Sequence, residues 1–193
     1  MNTKAELRTY WLEHRLTLGE LQKVENSYEI QQLFFNNFPL ADIKYVHVFL
    51  SIHERCEVRT WNLISTIWKK NAPTKVCLPR IMNMAEGTME SVLLEQNLSF
   101  NINHWGLEEP EGGQVIPPSE IDMVLLPLIT FDKNGHRLGY GGGFYDRYLA
   151  QCIKATKIGL SYFEPINELP EINQYDIPMD YCITPHKIHK FSN

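Results

Sequence analysis

Apolar and polar positions alternate at helical spacing near the start of the chain. Leu7, Tyr10, Trp11, His14 and Leu18 recur on one face, and Thr3 followed by Glu6 reads as a capping box, so the pattern predicts an amphipathic helix over residues 4–16. Thr17 and Glu20 repeat the capping signature. A second helix is expected through residues 18–36, with Leu21, Val24, Tyr28, Leu33 and Phe34 inward and Pro39 marking the turn beyond it. The pattern then changes. Tyr45-Val-His-Val-Phe-Leu-Ser51 is rich in β-branched and aromatic residues and fits a buried strand. Thr60 can cap a helix over 61–70 with Trp61, Ile64, Ile67 and Trp68 as its apolar stripe, and Lys75-Val-Cys-Leu-Pro79 is a second strand, which completes a βαβ unit.

Residues 88–95 and 98–103 read as a hairpin-like pair or edge strands, and Ile121 through Leu128 is a nearly continuous apolar run, as expected of a strand covered on both faces. Pro127 cannot donate to a ladder, so it belongs at or beyond that strand's end. A helix over about 144–154, a strand over 156–161, a proline-punctuated polar stretch and a short strand at 181–184 complete the order. No repeat or long linker divides the chain. A single α/β domain spanning 1–193, with a central, mostly parallel sheet, is the economical reading.

Between the apolar run and the helix lies Asp132-Lys-Asn-Gly-His-Arg-Leu-Gly-Tyr-Gly-Gly-Gly-Phe-Tyr-Asp146. Glycines there let the backbone take φ > 0 or lie against a ligand, with successive amides aimed at one anion. Consecutive glycines cost conformational entropy, which a phosphate site would justify. The run matches neither a P-loop nor a dinucleotide fingerprint. Arg137 adds a forked donor, and Lys4 and Arg8, four apart on one helical face, could reach the same polyphosphate. Asp132, Asp146 and Asp176 are candidates for holding Mg²⁺ beside it, or are caps and salt-bridge partners.

Composition narrows the classes. With 193 residues, 18 basic and 23 acidic, the net charge is −5, which speaks against nucleic acid as the main partner. The cysteines Cys56, Cys77, Cys152 and Cys182 form no CxxC or Cys/His cluster and read as reduced, buried thiols. The charged first segment is unlike a signal peptide, and no stretch reaches the apolar length of a membrane span. A soluble cytoplasmic protein that contacts no membrane is the expectation. Histidines 47, 53, 104 and 136 lack a zinc spacing, and no serine sits in a nucleophile elbow. Glu54 and Glu57 follow the first strand, where α/β proteins bind ligands, and Trp105-Gly-Leu-Glu-Glu-Pro110 joins an aromatic to two acids, a set suited to a flat nitrogen heterocycle or to a plain surface turn. Met89 and Phe100 read as core.

Asp132-x-x-Gly135-x-Arg137-Leu-Gly-Tyr-Gly-Gly-Gly-Phe-Tyr145-Asp146, together with Lys4 and Arg8, Glu57-Val-Arg-Thr60, Leu78-Pro79, Trp105 through Pro110 and Asp122 through Pro127, resembles the 5-formyltetrahydrofolate cyclo-ligase family over nearly the full length. The resemblance implies a three-layer α/β/α fold and ATP-dependent closure of 5-formyltetrahydrofolate to 5,10-methenyltetrahydrofolate, through a phosphorylated formyl oxygen, with ADP and phosphate released. It implies ATP as substrate, Mg²⁺ as cofactor, a folate with or without a polyglutamate tail, and a monomer. It places Lys4, Glu57 and Arg137 as catalytic, and it assigns Lys4, Arg8, Arg137, Leu138, Gly139, Tyr140, Gly141, Gly142, Gly143, Tyr145 and Asp146 to the nucleotide. Ser51, Glu57, Met89, Trp105 and Tyr145 fall to the folate, and Asp146 and Asp176 to the metal. Arg59, Glu164 and Tyr175 depart from the family pattern, and Tyr140 and Gly142 stand where some members carry cations. The alternative is a folate- or nucleotide-binding protein of the same fold that has lost catalysis.

Overall fold

The computed structural model describes residues 3–69, 73–103 and 106–192. Helix α1 (Lys4–Leu16) starts where expected, because the Thr3 hydroxyl accepts the Glu6 N–H at 3.2 Å. Helix α2 (Glu20–Asn37) follows Gly19. Then come β1 (Tyr45–Val48), a 3₁₀ turn at His53–Arg55, α3 (Trp61–Lys69), β2 (Lys75–Asn83) and β3 (Thr88–Leu93). The middle of the chain holds β4 (Ser99–Ile102), β5 (Glu108–Glu111), β6 (Val115–Ile116), β7 (Met123–Leu126), β8 (Thr130–Phe131) and β9 (Arg137–Leu138). Helix α4 (Phe144–Leu149), β10 (Thr156–Leu160), β11 (Tyr181–Ile183) and β12 (Ile188–Lys190) complete it.

Eight strands form the main sheet in the order β12-β11-β10-β7-β1-β2-β3-β6. The interior pairs β11–β10, β10–β7, β7–β1 and β1–β2 are parallel, and the margins β12, β3 and β6 run antiparallel. Side-chain alternation sets the register. Val46, Val48, Met123, Leu125, Ile158 and Leu160 face a core shared with α2 and α3, whereas Tyr45, Val124, Leu126 and Cys182 face a second core with Tyr148 and Leu149 of α4. Each such side chain contributes about 1.5–3 kcal/mol when fully buried, and a one-residue slip would exchange the two sets. Helices thus flank both faces, the three-layer arrangement expected. From the middle of the sheet the chain turns outward in both directions, β1 leading to β2 and β7 leading to β10. The crevice at the carboxyl ends of β1 and β7 is therefore the switch point where α/β folds bind ligands.

Five expectations need revision. Thr17 does not cap α2: its hydroxyl donates to the His14 carbonyl at 2.7 Å at the end of α1, and Gly19 precedes α2 with no side-chain cap. Leu21, Val24 and Tyr28 of α2 are exposed, and the buried stripe is Lys23, Ser27, Ile30 and Phe34. The two polar members turn inward because partners wait there: Ser27 Oγ lies 2.8 Å from the Tyr162 hydroxyl and Lys23 Nζ 3.3 Å from Cys56 Sγ. In α3, Trp61 and Trp68 sit at the half-exposed edges while Leu63, Ile64 and Ile67 are buried. Strands β3 and β4 do not pair with each other; β3 joins β2 and β6, and β4 forms a separate two-stranded sheet with β5. Helix α4 ends at Leu149, short of the expected 154, as Gln151 and Cys152 close the last turn with N–H bonds to Tyr148 and Leu149.

Candidate functional site

A cavity of about 700 Å³ opens at the switch point, walled by the segments after β1 and β7, the glycine run, the β2–β3 ribbon and one face of α1. Pro127 lies just past β7 and lines it, as the missing N–H required. Gly141 and Gly143 hold φ of 97° and 70°, a region closed to most side chains, and this bends the run around the cavity before α4 begins. Among the described residues, the amides of Gly139, Tyr140, Gly141, Gly142 and Gly143 donate to no protein acceptor. The carbonyls are held instead: Arg8 Nε donates to Gly139 O at 2.9 Å and Arg147 Nη1 to Gly142 O at 2.9 Å. A loop with anchored carbonyls and unspent donors is suited to an anion.

Cations of α1 flank this loop. Lys4 Nζ pairs with Asp176 Oδ2 at 2.7 Å, and the Arg8 guanidinium lies 3.5–3.7 Å from where a side chain on Gly141 would begin, ordinary contact distance, so it is the positive φ rather than crowding that favours glycine there. Arg137 is buried and binds Asp146 Oδ1 at 2.7 Å and the Ile177 carbonyl at 2.6 Å. Burial weakens its hold on the proton, and the Asp146 charge restores part of it. Asp176 is partly desolvated, which raises its carboxyl, but the Lys4 bond and the Asn173 N–H bring it below the ordinary aspartate value overall.

Asp146 and Asp176 both line the cavity. Each uses one carboxylate oxygen in the bonds above: Asp146 Oδ1 also accepts the Ile177 N–H at 3.2 Å, and Asp176 Oδ2 takes both of its partners. The remaining oxygen of each could take a hard cation that keeps several waters, which is how Mg²⁺ binds beside phosphates. No group of three or more His, Cys, Asp or Glu suited to a metal occurs among the described residues. Asp132 serves the backbone instead. Buried, it accepts the N–H groups of Asn134, His136 and Leu169 and shapes the turn at the base of the loop.

The opposite end of the cavity is dry. Glu57 is buried, its Oε2 accepting the Ile52 N–H at 2.8 Å and its Oε1 the Tyr140 hydroxyl at 2.5 Å. Burial raises its carboxyl above the ordinary glutamate value overall, and those two bonds, with Arg15 and Arg55 nearby, offset only part of the rise. Tyr140 in turn accepts from Arg15 Nη1 at 3.1 Å, with the Arg55 guanidinium 4.2 Å over its ring. Its phenol is pushed up, chiefly by burial, so it stays protonated and donating. Tyr145 hangs its hydroxyl 3.4 Å from His47 Nε2. His47 Nδ1 lies 2.6 Å from Ser91 Oγ, which closes the chain on the Tyr148 hydroxyl. Burial lowers His47 to about 3, so it is neutral. Ser51, Met89, Ile81 and Pro79 complete this wall.

Lys4, Arg8, Arg137, Gly139 through Asp146, Ser51, Glu57, Met89 and Asp176 thus converge on one cavity, although they come from both ends and the middle of the chain. Leu138 contributes only wall, its side chain buried with Leu7 and Leu169. Phe100 packs against Trp61 as core, and Trp105 lies outside the described residues. Arg15, His47, Ser91 and Gly87 do not emerge from the sequence pattern as parts of the site. A signal for Arg15 exists: at 100° per residue Lys4, Arg8 and Arg15 fall within about 40° of arc on α1. The buried face of α1 is this cationic stripe with Leu7, while Tyr10 and His14 face outward.

The model of the 5-formyltetrahydrofolate cyclo-ligase family matches residues 1–185. The 5-formyltetrahydrofolate cyclo-ligase of Escherichia coli K12 is 32% identical over 154 residues, 78% of this chain and 82% of that protein. The one from Haemophilus influenzae is 30% identical over 186 residues, 93% of this chain and 97% of its own. Among solved structures, the Aquifex aeolicus 5,10-methenyltetrahydrofolate synthetase superposes with a TM-score of 0.84 at 26% identity, covering 98% of this chain and 93% of that one. The Mycoplasma pneumoniae 5,10-methenyltetrahydrofolate synthetase gives 0.74 at 25% identity, covering 94% and 98%.

Proposed function

The chain belongs to the 5-formyltetrahydrofolate cyclo-ligase family, ATP-dependent ligases acting on 5-formyltetrahydrofolate, and from that premise we propose how its cavity divides the work. The observation that carries the reading is the pairing of five unspent loop amides beside Lys4 and Arg8 with a buried carboxylate at Glu57. The glycine run, Lys4, Arg8 and Arg137 take the ATP phosphates. Glu57, Ser51, Met89 and Tyr145 take the folate, the carboxylate receiving N–H donors of the pterin while the apolar side chains pack on its ring.

The formyl oxygen on N5 attacks the γ-phosphorus, the bond to the β-phosphate oxygen breaks, and ADP leaves. The product is an iminium phosphate, in which a poor leaving group has become a good one. N10 adds to the activated carbon, loses its proton, and the C–O bond breaks with release of phosphate as the methenyl bridge forms. This chain's part is alignment and charge stabilisation. Loop amides and cations meet negative charge as it moves onto the transferred phosphoryl group, and the dry end excludes water that would intercept it. Mg²⁺, held by Asp146 and Asp176 through their remaining oxygens, would neutralise phosphate charge.

Mixing the protein with 5-formyltetrahydrofolate and Mg-ATP tests this reading. The methenyl product absorbs in the near ultraviolet, and its appearance should match ADP released mole for mole. Folded protein that yields neither signal would refute the assignment.

A further inference from the structure

We propose that Arg15 and Tyr140 are positioning residues that fix Glu57 in one rotamer and oppose its neutralisation at the folate end; this rests on the division of the cavity given above. Three cations share one stripe of α1, yet they do different things. Lys4 and Arg8 end at Asp176 and Gly139, on the phosphate side. Arg15, about 10 Å beyond Arg8 along the axis at the helical rise, is 4% exposed and turns toward Tyr140 and Glu57. Its Nη2 donates to the Leu128 carbonyl at 2.5 Å, fixing the helix to the segment after β7, and its Nη1 lies 3.1 Å from the Tyr140 hydroxyl and 3.4 Å from the Arg55 carbonyl.

Those donors decide the direction of the next bond. A guanidinium can only donate, so the Tyr140 oxygen accepts from Arg15 and its one proton goes to Glu57 Oε1 at 2.5 Å. The relay is therefore polarised, cation to phenol to carboxylate. The carboxylate needs it, because desolvation favours the neutral acid, which would present a hydroxyl where a pterin requires an acceptor. Facing Glu57 are Arg15 from α1, Tyr140 from the glycine run, Tyr145 from α4, and Arg55 with the Ile52 N–H from its own turn, while the Tyr162 hydroxyl bonds the Glu57 carbonyl oxygen. Two of these, Arg15 and Arg55, are cations, and Arg55 sits in the exposed mouth.

Tyr140→Phe keeps the ring and removes the relay. The acid limb of kcat/KM for the folate should move up by roughly one pH unit or more, since a hydrogen bond favouring the charged form is gone, with a loss of roughly tenfold on that limb and a smaller one above it. KM for ATP should stay within about twofold, because binding at Lys4 and Arg8 is untouched. Arg15→Met should act in the same direction and Arg15→Lys, retaining one donor, should recover part of it. Carbon-13 NMR titration of the Glu57 carboxyl in wild type and Tyr140→Phe reads the same shift without turnover. A wild type that makes no methenyl product would therefore sink the functional reading alone. An unmoved Glu57 titration in folded Tyr140→Phe, or a defect confined to KM for ATP, would overturn the relay.

Discussion

The two ends of the cavity are built from different materials. At the loop end, backbone donors stand unspent, and Lys4 pairs with a partly exposed Asp176 in a bond that an incoming phosphate could replace. At the Glu57 end nearly every polar atom is already engaged: carboxylate with phenol and amide, His47 with serine and tyrosine, with Glu57, His47 and Ser91 themselves buried. An end that must release a charged product after each turnover keeps its partners exchangeable. An end that must recognise a heterocycle by acceptor placement keeps them fixed, because an unpaired polar atom there costs about 1–3 kcal/mol.

The most severe way to break this contrast is Arg137→Met, since Arg137 is the one loop-end cation built as the dry end is built. Removing it leaves the Ile177 carbonyl without its donor and Asp146 with only the Ile177 N–H and no cation, and unfolding in urea should show a loss of about 3–5 kcal/mol. A loss below about 1 kcal/mol would mean the pair is solvated and exchangeable like that of Lys4. The dry end is tested by acid. In the unfolded chain His47 takes a proton near its ordinary 6.5, whereas burial holds it to about 3 in the fold. The unfolded state thus binds the extra proton between those limits, and stability falls as pH drops through that window by about 1.4 kcal/mol per unit, with no such dependence above it. His47→Gln should flatten that part of the curve in denaturant titrations at neutral and acidic pH. A parallel decline in both proteins would show the imidazole to be wet.

Lys4→Met sharpens the exchangeable side: a roughly 10–100-fold drop in kcat/KM for ATP, with little change in melting temperature and folate KM. Equal damage to both substrates would erase the division. The smallest effect belongs to Gly141→Ala. Its φ of 97° costs about 1–2 kcal/mol for a residue with a side chain, although the new methyl would meet the Arg8 guanidinium only at ordinary contact distance. A raised KM for ATP with unaltered folate binding is the expected signature in steady-state kinetics.

The loop end is legible in the sequence because its chemistry is local: a glycine run with Arg137 and Asp146 inside it, and Lys4 and Arg8 one turn apart. The strands β1, β2, β7 and β10 are legible too, since continuous apolar runs bounded by proline and glycine leave few alternatives. The dry end is not. His47 reads as one strand residue among hydrophobic ones, and its partners Ser91, Tyr145 and Tyr148 come from two other elements. The face of α2 departs from its apolar pattern for a related reason. Counting apolar residues favours Leu21, Val24 and Tyr28, but Ser27 and Lys23 have buried partners in Tyr162 and Cys56, so their inward placement is set by contacts distant in sequence. Arg15 lies on the stripe of Lys4 and Arg8, where a cation-only count finds it, yet hydrophobic periodicity passes over it.

One small contact limits how portable the glycine run is. A side chain at Gly87, in the turn between β2 and β3, would collide with the Gly142 carbonyl and with the Arg147 guanidinium, and that guanidinium is the one gripping Gly142. The curved loop therefore lies against a neighbouring ribbon that must stay bare at one position. Grafted onto another scaffold as a cassette, Arg137 through Asp146 would carry its letters and lose its mould. Anyone building such a site elsewhere would have to transplant the ribbon with it.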